Sequence, residues 1–257
     1  MEINNHITAV ALARYQKSAT GHMRYVLAQK NLLLLHAFDH PLRILDAAGG
    51  NGQNTRWLAG QGHSVTLLDS NPAMLDQAKQ GLADEGLLER CQLVEGTIEK
   101  IAELFRHGQF DLVLCHHVIE YFNDPRQLLK ELHKVTSANG ELSLITLNPV
   151  SEVIRANIFQ KSPAVAHSKL TDLSYDAKWF GQAMLYSLDQ ITGWAREVGW
   201  SGLDFRGIRI LADYVPDAEY DEAKTLEAIQ LEAELGGIEP YRRIGRYLQF
   251  CFKKEGN

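Results

Sequence analysis

The run Leu42-Arg43-Ile44-Leu45-Asp46-Ala47-Ala48-Gly49-Gly50-Asn51-Gly52 constrains this chain more than any other stretch. A short apolar segment, an acid and three glycines in four residues precede a helix-like segment from Gln53 to Gly60, the order of a strand turning sharply into a helix. Glycine reaches backbone angles that a side chain forbids and leaves its N–H groups uncovered, so such a turn lets backbone approach a ligand above the strand end. Tight turns also use glycine for structure alone, so the ligand reading needs a second matched feature.

Charge supplies it. A dinucleotide turn, G-x-G-x-x-G, presents a helix N-terminus to pyrophosphate. Here the spacing is D-x-x-G-G-x-G, and a carboxylate so close repels phosphate but suits ammonium or sulfonium. A second apolar run, His63 to Leu68, ends in Asp69, seventeen residues after Gly52 and close to where a doubly wound fold places its ribose-binding acid. Together the two sites resemble the first motifs of the class I S-adenosylmethionine-dependent methyltransferases. That resemblance implies S-adenosylmethionine as cofactor and a Rossmann-like, doubly wound, mostly parallel seven-stranded α/β sheet.

The rest of the chain is compatible. At 257 residues with 45% hydrophobic content it can bury a full core, and no apolar run approaches the roughly 18 residues a membrane span needs. The N-terminus lacks the basic-then-apolar order of a signal peptide, so a cytoplasmic protein is expected. Cys91, Cys115 and Cys251 lie far apart in apolar contexts and read as buried thiols rather than disulfides or metal ligands; no metal site is expected. A net charge of −6 argues against a broad phosphate-coating surface and leaves room for a local basic patch.

Periodicity predicts helices over 3–15 and 22–38 before the first strand, with the loop Lys17-Ser18-Ala19-Thr20-Gly21 between them and Arg24 on the first turn of the second. This N-terminal part, residues 1–40, reads as a lid, or as ordinary helices with solvated charges at Lys17 and Arg24. Strands over 42–46, 64–69, 91–95, 110–115 and 141–147 then alternate with helices over 53–60, 72–84, 98–105 and 125–137, which builds a parallel sheet within a 41–148 cofactor-binding core. Asn71-Pro72 and Asp124-Pro125 mark helix starts, and Asn139-Gly140 is expected to close the helix before the fifth strand. Residues 149–187 read as a helical cap inserted over the mouth of the site. In the C-terminal part, 188–257, a helix over 188–198, a strand-like run from Gly199 to Leu211, an amphipathic helix over 217–235 and a last strand over 245–252 complete one expected domain.

Polar residues directly after the fourth strand, Cys115-His116-His117-Val118-Ile119-Glu120, point into the ligand crevice of such a sheet and resemble the methyltransferases' post-strand motif. His116 is a candidate contact for cofactor or substrate, with a hydrogen-bonded histidine at a strand end as the alternative. After the third strand, Thr97 stands where the class often places an adenine-binding aspartate, so adenine recognition would rest on the Thr97 hydroxyl and backbone with Ile98 against the ring. The cofactor contacts implied are Arg24, Asp46, Ala47, Gly49, Gly50, Gly52, Asp69, Ser70, Thr97, Ile98 and His116. No histidine and carboxylate at catalytic spacing announce a general base, which suits an acceptor that is already anionic.

Four blocks resemble a narrower family, the bacterial tRNA 5-carboxymethoxyuridine methyltransferases: Thr20-Gly21-His22-Met23-Arg24, the glycine turn through Gln53, Gly207-Ile208-Arg209-Ile210-Leu211-Ala212-Asp213-Tyr214, and Glu239-Pro240-Tyr241 with Gly245-Arg246-Tyr247. The turn departs at Ala48 and Asn51 from the family's usual G-G-G-E-G. The resemblance implies a wobble uridine whose carboxymethoxy group becomes a methyl ester, and the tRNA anticodon loop as partner. Arg209 and Arg246 would offer the planar fork that carboxylates favour, or would be salt-bridged to Asp213 or Glu239. Tyr214 and Tyr247 would stack on the base, or pack in the core. Lys17, Arg24, Arg242 and Arg243 are candidate phosphate contacts. A small acceptor such as an aromatic acid or quinone precursor is the alternative, and a non-catalytic S-adenosylmethionine-binding protein a third. Oligomeric state is not readable from the sequence.

Overall fold

A computed structural model describes residues 5–36, 38–177 and 180–255. The chain opens with helices α1 (Asn5–Gln16) and α2 (Ala19–Leu35), followed by β1 (Arg43–Ala47), α3 (Gln53–Gly60), β2 (Ser64–Asp69), α4 (Pro72–Asp84), β3 (Cys91–Glu95), α5 (Ile101–Leu104), β4 (Phe110–His116), α6 (Pro125–Val135) and β5 (Thr136–Leu147). Next come α7 (Pro149–Phe159), α8 (Pro163–Ser168), β6 (Ser174–Ala177), β7 (Gly181–Met184), α9 (Leu188–Glu197), β8 (Trp200–Ile208), α10 (Glu222–Leu235) and β9 (Tyr247–Lys254). Seven strands form one sheet in the order β3-β2-β1-β4-β5-β9-β8; β9 runs antiparallel to both neighbours, and the other pairings are parallel. Strand order reverses between β1 and β4, so the crevice beyond their carboxyl ends is where such a sheet binds its ligand.

Alternation along the central strands separates two apolar layers. Leu45, Ala47, Val113 and Cys115 face α6, α9 and the aromatic packing of Trp200, Phe250 and Phe252, whereas Ile44, Leu112 and Leu114 face α2 and α3 through Leu32 and Leu58. Four helices start alike, with an Asn, Asp or Ser whose side chain accepts a backbone N–H, followed by proline: Asn71-Pro72, Asp124-Pro125, Asn148-Pro149 and Ser162-Pro163. The cap fills one free donor and proline occupies a position whose missing N–H costs nothing. All three cysteines are free thiols. No helix among the described residues is long and apolar enough to cross a membrane.

Several expectations change. Helix α2 begins at Ala19, capped by Ser18 through the Gly21 N–H, so the expected loop shrinks to a turn and Arg24 sits on the second helical turn rather than the first. Asn139-Gly140 does not close α6, which ends at Val135; β5 starts at once, and Asn139, at φ 63°, sits where the β4–β5 register shifts. The segment expected as a helix over 98–105 is a 3-10 turn followed by the single turn of α5. Strand β8 stops at Ile208, because Arg209 adopts φ 57° and cannot continue a strand. The cap is only partly helical, since β6 and β7 form an antiparallel hairpin after α7 and α8.

Candidate active site

At the carboxyl end of β1 the glycine turn curls around its own acid. The buried Asp46 carboxylate accepts the Thr55 hydroxyl at 2.7 Å, and a Cβ at Gly49 would lie 2.6 Å from that carboxyl carbon. Gly52, at φ 75°, would press a Cβ to 3.0 Å from Ala78 and 3.2 Å from Leu67. Gly50, at φ 58°, leaves room for a Cβ, which would make only ordinary contact with Leu12 Cδ2 at 3.7 Å. Ala48 holds φ 56° without being glycine.

Asp69 closes the turn from the neighbouring strand, accepting the Gly50 N–H at 2.8 Å and the Asn71 N–H at 2.8 Å on different oxygens. A carboxylate has about four acceptor sites, so both oxygens keep capacity for a ribose diol. Burial pushes the Asp69 carboxyl above its ordinary range, and burial pushes Asp46 to about 6, with Asp69 adding. Two acids raised by desolvation under one turn favour a positively charged ligand and oppose a phosphate.

Of the other implied cofactor contacts, Ala47 ends β1, Ser70 follows Asp69, and Thr97 stands exposed at the end of β3 beside buried Ile98. Ile98 packs in the main apolar core. His116 bridges α3 and β5, its two ring nitrogens 3.2 Å from Asn54 Nδ2 and 3.0 Å from Ser143 Oγ, and burial lowers its pKa to about 3. It is therefore neutral and serves as a fixed hydrogen-bonding wall. Asn54 Oδ1 is buried without a partner on this same wall. Helix α1 lies across the turn: Gln16 exchanges amide hydrogen bonds with Asn51 at 2.8 Å in both directions and accepts from Gln53 at 3.3 Å.

Beyond β4, β5 and β9 the chemistry changes from backbone to side chains. Tyr247, the first residue of β9, is buried among Arg24, Arg209 and Arg246, whose guanidinium carbons lie 5.8–5.9 Å from its ring centre. Burial alone would raise the Tyr247 phenol, but the three cations outweigh it and bring it down to about 8. Tyr15, from α1, hydrogen-bonds Tyr247 and is held above its ordinary range by burial and by that neighbour, while accepting from Arg209 at 2.6 Å. The His117 ring, set by φ 61°, meets Tyr247 edge-on at 4.7 Å.

Each arginine has a tether. Arg209 pairs with Asp213, Asp213 with Arg155, Arg155 with Glu152, and Glu152 with Arg246. Arg246 also donates to the Tyr175 hydroxyl at 3.1 Å, which ties in the β6–β7 hairpin. Arg24 instead lies against the rings of Tyr15 and Tyr25 at 4.8 and 4.7 Å. The Nε atoms of Arg24 and Arg209 are buried without a partner. Three guanidiniums thus share two carboxylates in this chain of contacts, and Arg24 stands beside it with none. Glu120, buried near Arg246, is raised by burial to about 7 and so carries only part of a negative charge near neutral pH.

Sequence reasoning missed the groups that shape this cluster. Glu232 of α10 accepts the N–H groups of Ile210, Leu211 at 2.6 Å and Ala212 at 2.7 Å, which fixes the turn carrying Arg209 and Asp213. Asn148 donates to the carbonyls of Arg243 and Gly245, both at 2.8 Å, and so positions the start of β9. Nothing in the spacing of a polar residue on an amphipathic helix would have singled out Glu232. Arg242 and Arg243, expected as phosphate contacts, both pair with Glu239, and both stack over Phe205; Arg24 is inside the cluster, while Lys17 and Arg243 stand exposed. Arg209 does pair with Asp213, but Arg246 pairs with Glu152 rather than Glu239. One group of metal-type side chains exists among the described residues, His36, Glu141 and Cys251, at the amino end of β5; its atoms already hydrogen-bond one another and the Leu35 carbonyl.

Fold, glycine cradle and paired acids define a class I S-adenosylmethionine-dependent methyltransferase. A family model described as a methyltransferase domain matches residues 45–144. Over 243 residues the chain is 29% identical to the tRNA 5-carboxymethoxyuridine methyltransferase of Escherichia coli K12, covering 91% of this chain and 89% of that one. It is 31% identical to the ubiquinone biosynthesis O-methyltransferase of Erwinia tasmaniensis, over 41% of this chain and 42% of that protein. The crystal structure of an S-adenosylmethionine-dependent methyltransferase from Thermotoga maritima superposes with a TM-score of 0.63 at 16% identity, over 97% of this chain and 98% of that one, a likeness of fold.

Proposed function

We propose that this enzyme methylates the carboxylate of 5-carboxymethoxyuridine at the wobble position of tRNA, giving a methyl ester. One observation carries the reading: guanidiniums converge on Tyr247 with too few carboxylates to neutralise them, and two of them keep buried Nε–H groups without an acceptor. A buried unpaired cation is costly, so the cluster is built for anions from outside. Arg24, lying against Tyr15 of α1, would take the methionine carboxylate of the cofactor; Arg209 and Arg246 would orient the acceptor carboxylate.

The bound cofactor supplies an electrophilic methyl group on a sulfonium. Gly49, Gly50 and Gly52 admit it, and Asp69 would hold its ribose. An ionised carboxylate needs no base, in keeping with a neutral His116 whose ring nitrogens are both engaged. Arginines that gripped both acceptor oxygens fully would blunt their nucleophilicity, so the tethers to Asp213 and Glu152 have a use: they hold part of each guanidinium's donor capacity. The 29%-identical relative of matched length supports the tRNA substrate.

A small carboxylic acid acceptor is the second reading, favoured by the net charge of −6 and by the pairing of Arg242 and Arg243 with Glu239. Labelled cofactor and purified enzyme, incubated with RNA and with small-molecule extract from a strain lacking the gene, separate the two. Label in the methyl ester of a carboxymethoxyuridine nucleoside is expected; label confined to the small-molecule fraction would replace the proposal with the second reading.

A further inference from the structure

Where α7 ends, a ring stands out of the protein beside the arginine cluster. Phe159, the last residue of α7, is 50% exposed and belongs to none of the buried apolar clusters. It stacks on Tyr214 with centroids 6.2 Å apart and planes 19° from parallel, and the Arg155 guanidinium lies 4.9 Å from its centre. Tyr214 follows Asp213 directly, so this aromatic pair is bonded into the charge relay that runs Arg155 to Asp213 to Arg209. Arg155 is the outermost of the three, its side chain 30% exposed, against 1% for Asp213 and 10% for Arg209 behind it. Leu211 and Val215, flanking the Tyr214 turn, are also exposed at 43% and 40%.

Leaving a phenyl ring in water forfeits the burial that stabilises a core aromatic. A planar partner with an anionic side arm would use every part of the arrangement: a π-face on the ring, a cation beside it, and further cations inward along the arm's direction. We infer that Phe159 and Tyr214 form a stacking platform for an unpaired uracil base of RNA whose carboxylate-bearing arm enters the arginine cluster. This rests on the acceptor reading above and adds the surface that holds the base. A single-stranded loop base offers its face to an aromatic side chain without having to leave a duplex. Tyr214, pushed to about 12 by burial and then by Asp213, keeps its proton and remains a donor to a base edge. The role that the sequence assigns jointly to Tyr214 and Tyr247 falls to Tyr214 with Phe159, since Tyr247 is buried.

The test uses the full chain saturated with S-adenosylhomocysteine and a fluorescent anticodon stem-loop carrying 5-carboxymethoxyuridine, read by polarisation. Phe159→Ala is expected to weaken stem-loop binding by roughly ten-fold, the scale of losing one base–aromatic stack, with S-adenosylhomocysteine affinity unchanged. Phe159→Trp, which keeps a π-face, is expected to restore it. If Phe159→Ala binds the stem-loop as the wild type does, while the wild type methylates it, the platform is wrong and the acceptor reading stands. If the wild type neither binds nor methylates the stem-loop, both fall. Loss in Phe159→Ala of activity toward a small aromatic acid, with no stem-loop binding by wild type, would reassign the ring to that acid and overturn an RNA platform.

Discussion

The two ends of the crevice are made of different material. At the cofactor end, contiguous backbone does the work: Gly49 to Gly52 curl over Asp46, and Asp69 pins the curl from the next strand. At the acceptor end, side chains from α1, α2, α7, the turn after β8 and the start of β9 meet around Tyr247, and no two of its arginines are close in sequence. A backbone cradle is generic, because any chain with the right glycines can form it. A cluster assembled from remote side chains depends on the whole fold. The seam between them is α1, where adjacent residues Tyr15 and Gln16 touch Arg209 on one side and Asn51 on the other.

If that division holds, Asp69→Ala should produce the largest effect and should fall on the cofactor half. Removing a buried carboxylate that organises two backbone N–H groups and would bind two hydroxyls costs roughly 3–4 kcal/mol at about 1.5–3 per charge-assisted bond with partial compensation, a loss of over a hundred-fold in S-adenosylhomocysteine affinity by calorimetry. Unchanged affinity would remove Asp69 from the site.

Arg209→Ala should break the other half alone. We expect kcat/KM for the acceptor to fall about a hundred-fold, the scale of two charge-assisted bonds, with cofactor affinity within two-fold. Loss of both, accompanied by a lower Tm, would make the Arg209–Asp213 pair structural and erase the distinction.

The acceptor half also has a titration of its own. Tyr247 is the phenol lowered to about 8, so near-ultraviolet tyrosinate absorbance should rise with a midpoint near that pH and vanish in Tyr247→Phe. Because the folded pKa lies below the unfolded one, the stabilisation is fully present above the ordinary value of about 10 and is lost as pH falls through about 8. Wild type should therefore gain stability relative to Tyr247→Phe between pH 8 and 10, by up to roughly 2–3 kcal/mol from a shift near two units. An acceptor carboxylate held by the same arginines should move the midpoint upward.

Ala48→Gly is the smallest and tests the cradle. Ala48 pays about 1 kcal/mol for its left-handed backbone, which glycine would recover in part against a greater loss of chain entropy. A rise in Tm of a few degrees or less with unaltered acceptor kinetics is expected; altered acceptor kinetics would show that the turn and the cluster are not separable.

Reading from sequence succeeded where the responsible residues are neighbours. The glycine turn, Asp69 at the end of its strand, and the Asn-Pro and Asp-Pro helix starts are local devices, and each appears where its spacing placed it. Misreadings came where a distant group decided the outcome. The strand through Ile208 looked able to run to Leu211, but Glu232 captures three successive N–H groups there and Arg209 turns left-handed. Asn139-Gly140 has the chemistry of a helix terminator, yet β5 is already under way at Thr136, and the pair forms the irregularity in its register with β4.

By itself, then, the sequence determined the sheet and its cofactor turn, because apolar period, proline and glycine act over a few residues and their consequences do not depend on what lies across the molecule. Only the tertiary structure decided where the arginines meet. The sequence offers Arg209 and Arg246 as a carboxylate fork or as salt bridges, and Arg24 as a cofactor or phosphate contact; brought together around one phenol, and short of carboxylates, they make up the anion receptor we propose, since electrostatic energy depends on separation in space and on burial rather than on position along the chain.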